Sequence, residues 1–79
     1  MVVYKFDRLL LMRLKEFETL FLNKKVLITL KPHYEVEDTI IGFVLSANPD
    51  HEVTGIRLKS REVNLLDIKS IGVKNGKLG

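Results

Sequence analysis

Seventy-nine residues with a mass of 9.1 kDa leave room for one small domain. Apolar residues make up 46% and charged residues 29%, a globular rather than a disordered mixture, and thirteen Lys plus Arg against ten Asp plus Glu leave a mildly basic +3. With no cysteine, a disulfide scaffold, a thiolate metal site and a cysteine nucleophile are all excluded.

Arg8 to Leu22 reads as the first element, an amphipathic helix. Asp7 stands at its N-cap, and Phe6 and Leu11 have the spacing of a hydrophobic staple. At 100° per residue, Leu10, Leu14, Phe17 and Phe21 share one stripe, widened by Leu9 and Leu20. Leu11 and Leu22 fall on a shoulder away from that stripe, and Met12 stands apart from it. Together these three make a candidate seam for a protein partner or for self-association. Asn23 followed by two lysines marks the helix end.

From Lys25 the apolar period changes from 3.6 to 2. Residues 25–31 alternate as a strand closed by Pro32, and residues 33–38 form a polar, acidic connection. Residues 39–47 give a second strand, with Ile41, Phe43 and Leu45 on one face and a bend or bulge at Gly42. Asn48-Pro49-Asp50 signals a turn. Further strands follow at 53–59, 63–66 and 68–73, with a single helical turn beginning at Asp67. Residues 1–73 form the expected domain and 74–79 a flexible tail; whether residues 2–6 add a strand stays open.

The order predicts an α+β fold, an N-terminal amphipathic helix on a small, strongly bent antiparallel barrel of four to five strands, with an open sheet and the helix across one face as the main alternative. Its closing segment, Leu65-Leu66-Asp67-Ile68-Lys69-Ser70-Ile71, resembles that of small Sm-like and SH3-like barrel families. Over residues 8–73 the layout is similar to the Rof-like Rho-antitermination proteins and the YolD-like bacterial proteins. The resemblance implies the barrel fold and a transcription-related protein partner. It carries over no binding residues, because the late strands hold no Ile-Arg-Gly triplet of the kind that feeds an Sm RNA pocket.

Charge is partitioned along the chain: residues 1–25 sum to +3, residues 26–55 to −4 and residues 56–79 to +4. In the last block, Arg57, Lys59 and Arg61 have the i, i+2, i+4 spacing that projects side chains ~6–7 Å apart from one face of a strand. Lys69, Lys74 and Lys77 extend the row. Such a row suits a polyanion such as single-stranded RNA or DNA, or simply the wet face of a sheet. Aromatic support is thin, since only Tyr4 and Tyr34 look free. In the acidic block, Glu35, Glu37 and Asp38 offer a docking surface for a basic partner. With His33 they lack the converging, supported geometry of a metal site.

Catalysis finds no nucleophile elbow, no Gly-rich phosphate loop and no paired acid and base, so a non-enzymatic module without cofactor, metal or small-molecule substrate is expected. No stretch approaches the ~20 apolar residues of a membrane span, and charges at Lys5, Asp7, Arg8 and Arg13 interrupt any signal-like segment, which points to the cytoplasm. Two functions stay open. One is a regulatory module acting through protein contacts; the other is a nucleic-acid binder acting through the basic row.

Overall fold

The computed structural model describes residues 1–74. In chain order the elements are β1 (Val2–Lys5), α1 (Phe6–Leu10), α2 (Leu14–Phe21), β2 (Lys25–Leu30), β3 (Tyr34–Leu45), β4 (Val53–Leu58), β5 (Glu62–Asn64), a 3-10 turn (Leu65–Asp67) and β6 (Ile68–Val73). The strands form one antiparallel sheet in the order β1-β6-β2-β3-β4-β5. The outermost strands β1 and β5 do not pair with each other, so the sheet is open. No helix among the described residues is long and apolar enough to cross a membrane.

Residues 2–5 form a strand ahead of the helices, and Val2 to Lys5 pair with Val73 to Ser70. The fold therefore does not begin with its helix. The expected continuous helix over 8–22 is also broken, at Leu11–Arg13. No proline or glycine breaks it; packing does. On one continuous helix Met12 would lie about 60° to one side of Leu9, with Phe17 and Phe21 about 80° and 120° to the other. All four are buried, and one straight helix cannot turn so wide an arc toward a single core. The chain breaks and re-aims instead. Leu11 and Met12 close α1 with short bonds to the Arg8 and Leu9 carbonyls, 3.1 and 3.2 Å.

The break moves several side chains from their expected places. Leu10 is 53% exposed, off the buried stripe, and Leu9 takes its place in the core. Leu11 is 77% exposed, so no staple with Phe6 forms. Lys5 rather than Asp7 is the cap, and Asp7 lies in the first turn, where its charge suits the helix dipole. After α2, Asn23 adopts the left-handed conformation (φ 64°) that asparagine tolerates. Its amide donates to the Ile40 carbonyl at 2.8 Å, and the Ile40 amide donates back to the Lys24 carbonyl at 3.1 Å. The helix end is thus fastened to the middle of β3.

β2 alternates as its sequence predicts, with Val26, Ile28 and Leu30 buried and the strand ending before Pro32. β3 begins at Tyr34, not at residue 39, so most of the supposed acidic connection is strand. Glu35 and Glu37 stand opposite Thr29 and Leu27. A register shift lies between Ile40 and Gly42. The extra residue is Ile41, which turns outward at 48% exposed while Ile40 is fully buried. Phe43 returns to the core against Phe17, ring centroids 5.6 Å apart, and a second shift before Leu45 leaves that residue exposed. The expected common face of Ile41, Phe43 and Leu45 is therefore not formed.

The turn at Asn48–Asp50 forms, with Ser46 donating to the Asn48 side chain at 2.8 Å. The turn expected near Asp67 is the 3-10 segment, started by Asn64, whose side-chain oxygen accepts from the Leu66 amide at 2.9 Å. β6 occupies residues 68–73 as expected. Of the presumed tail, Lys74 holds an ion pair with Glu37 at 3.5 Å, and residues 75–79 lie outside the described residues.

Candidate functional site: a basic surface around Tyr4

The expected cation row does not share one strand face. β4 ends at Leu58, and the Leu58 amide donates to the Arg61 carbonyl at 2.7 Å, so Lys59 and Ser60 form a hairpin turn and Arg61 lies beyond it. The i, i+2, i+4 spacing requires extension through Arg61, and β4 ends three residues short of it. Arg57 remains on the strand, its stem over Gly42 and its guanidinium 3.6 Å from Glu62. Lys69 sits at the β6 register shift and reaches the Pro32 carbonyl at 3.4 Å, three strands away from β4 and so ~14 Å distant across the sheet. Lys77 lies outside the described residues.

The helix seam also dissolves. Leu11 is exposed, Leu22 is half-buried, and Met12, 7% exposed, belongs to the core. Of the acidic candidates, Asp38 is committed to structure. Its carboxylate accepts from the Thr39 amide at 2.7 Å, from the Ser60 amide at 3.2 Å and from the Ser60 hydroxyl. The Ser60 hydroxyl first, then the Thr39 amide, hold this carboxyl below its ordinary value of 3.8. Glu37 is paired with Lys74, and Glu35 stays exposed. Among the described residues no three His, Asp or Glu side chains group closely enough to hold a metal ion.

What the fold does assemble is a basic, partly aromatic surface where β1, α2 and the start of β2 meet. Two hollows lie there, of about 480 and 560 Å³, and Tyr4 and Leu20 line both. The first is bordered by Lys24, Lys25 and Lys74; the second by Arg8, Arg13 and Lys15. Five of these cations lie within residues 8–25, and Lys74 joins them from beyond the end of β6. Pairing with β6 places Tyr4 opposite Ile71, and its ring packs perpendicular to Phe21 at 5.2 Å. That contact ties the strand to α2.

Glu16 is the acidic side chain lining the second hollow, and it is already engaged. One oxygen accepts from the Arg13 amide at 3.3 Å, satisfying a free donor at the start of α2, and the other is 3.7 Å from the Arg8 guanidinium. It clips α1 to the start of α2 and holds Arg8 beside the hollow. Arg13, Lys15, Lys24 and Lys25 have no ion-pair partner among the described residues. Four unpartnered cations around two concavities raise the local potential for anions.

Reading the sequence alone passes over this surface, although its signal is there: residues 1–25 sum to +3, and Tyr4 stands free of the apolar stripe. The missing link is β1, whose four residues Val2-Val3-Tyr4-Lys5 are too few to show a strand period. Comparison of the chain with protein-family models, with curated proteins and with solved structures finds no match in any of the three.

Proposed function

We propose that this chain is a non-enzymatic binding module, acting in the cytoplasm, whose working surface takes a polyanionic partner across the two hollows beside Tyr4. One observation carries the reading: Arg13, Lys15, Lys24 and Lys25 converge on two adjoining concavities with no anionic partner among the described residues. A purely solvated face has no need of a shared aromatic and aliphatic wall, which Tyr4 and Leu20 provide. The fold proposal that goes with it is a strongly curved, barrel-like sheet akin to the Sm-like and Rof-like families, supported by the β-bulges at Ile41 and at Lys69.

The test is an amide-resolved NMR titration with inorganic polyphosphate at low and moderate salt. Salt-sensitive shifts at Arg13, Lys15, Lys24 and Lys25 are expected, because phosphate neutralisation releases counterions and affinity falls as salt rises. No shift at these residues even at low salt overturns the reading.

A second reading, regulation through protein contacts, is favoured by one feature. Leu10 and Leu11, 53% and 77% exposed, sit side by side at the corner between α1 and α2. Adjacent exposed leucines in so small a domain mark a contact surface. Concentration-dependent shifts at this corner, without polyphosphate response, would favour that reading instead.

A further inference from the structure

We infer that the polyanion is a single-stranded nucleic acid, with phosphates on the cations of both hollows and one base stacked on the Tyr4 ring. This rests on the reading of the surface as a polyanion site and names its ligand.

Shape gives the first argument. The hollows adjoin through a common wall, each within the size range of small-ligand sites, and cations border both. A single small anion would use one hollow. A charged chain crossing the Tyr4–Leu20 wall uses both, and a flat lipid surface fits neither concavity.

The wall gives the second argument. A nucleic-acid strand alternates charge with a flat aromatic ring, and only such a chain gains from both the cations and Tyr4. Polyphosphate, or an acidic peptide without aromatic side chains, draws on the cations alone. A duplex keeps its bases stacked on one another and has none to offer to an aromatic ring in a hollow.

Preorganisation is the third. Tyr4 is half-buried and fixed on both sides, by the β1–β6 ladder and by the perpendicular contact with Phe21. Little side-chain freedom is lost when a base packs on a ring already held. The carboxylates of Glu16 and Glu37 are occupied by Arg8 and Lys74, so neither opposes the incoming strand as a free charge.

The experiment measures fluorescence anisotropy of the full chain with three ligands of equal charge: a short oligothymidylate, the same backbone without bases, and inorganic polyphosphate. Base-bearing strands are expected to bind about 5- to 150-fold tighter than the abasic backbone, the increment of one base on one aromatic ring. Tyr4→Phe keeps that increment and Tyr4→Leu loses it. Equal affinity for the base-bearing and abasic strands overturns the inference while leaving a polyanion site in place. This comparison uses the unaltered protein, so it decides even if Tyr4→Leu fails to fold. Absence of binding to all three ligands removes the underlying polyanion reading as well.

Discussion

Asp38 on β3 and Ser60 in the β4–β5 turn are joined by two hydrogen bonds, from the Ser60 amide and from its hydroxyl, both to the same carboxylate oxygen. Twenty-two residues separate them, so the contact fixes the hairpin turn to the strand beside it. The Lys59 amide adds a bond to the Thr39 carbonyl at 3.2 Å, one residue along each chain. An acidic side chain that reads as part of a docking surface thus serves as a turn anchor.

This anchor depends on pH. Asp38 has a folded-state pKa below its unfolded one, so its contribution to stability is complete above the ordinary value of 3.8 and is lost as pH falls through the lower folded value. Acid unfolding followed by circular dichroism should show the melting temperature dropping through that range. Asp38→Asn should flatten this part of the profile and lower stability at neutral pH. Ser60→Ala should do the same by returning the Asp38 pKa toward its ordinary value, measurable by carboxyl NMR. An unchanged Asp38 titration in Ser60→Ala would refute the link.

The bulge at Ile41 predicts opposite outcomes at adjacent isoleucines. Ile40 is fully buried and Ile41 is 48% exposed. Ile40→Ala should cost about 2–5 kcal/mol by chemical denaturation, the usual range for an emptied core site. Ile41→Thr should stay within about 0.5 kcal/mol. A continuous strand without the bulge would reverse this order, so the pair of measurements locates the extra residue.

Gly55 offers a steric prediction. A Cβ there would stand 2.9 Å from the Val63 carbonyl oxygen and 3.4 Å from the Val44 side chain. The first of these is backbone of the neighbouring strand β5, which cannot swing aside as a side chain can. Gly55→Ala should therefore destabilise the fold by about 1–3 kcal/mol. Gly42→Ala meets only the Arg57 stem at an ordinary 3.8 Å and serves as the control. Equal melting temperatures for the two variants would contradict the close β4–β5 approach.

How far the sequence discloses this molecule depends on the range of the forces involved. Local rules hold where local chemistry decides: Asn23 stops the helix, Pro32 closes β2, Asn48-Pro49-Asp50 turns, and Ile68 to Val73 form the last strand. They fail where distant packing decides. The helix period is sound on either side of Leu11–Arg13, but the demand that Leu9, Met12, Phe17 and Phe21 face one core breaks it between them. Likewise Asp38 looks free until Ser60 folds back to it, and Tyr4 looks isolated until β6 brings it beside α2. The candidate site is the least legible part, because its cations come from four separate segments.

The two basic surfaces make the last prediction, since only one has the geometry for a polyanion. Arg57 is paired with Glu62, and Lys59 and Arg61 are split by the turn around Ser60, so these three present no common groove. Arg13, Lys15, Lys24 and Lys25 border adjoining hollows. Two double variants that each remove two positive charges would have equal effects if long-range attraction alone decided binding. Short-range geometry separates them. Lys24→Gln with Lys25→Gln should weaken oligonucleotide binding and reduce the slope of log affinity against log salt by about 0.7 for each phosphate no longer neutralised. Lys59→Gln with Arg61→Gln removes the same charge and should leave that slope unchanged. If both double variants lower the slope alike, binding follows net charge and not the surface around Tyr4.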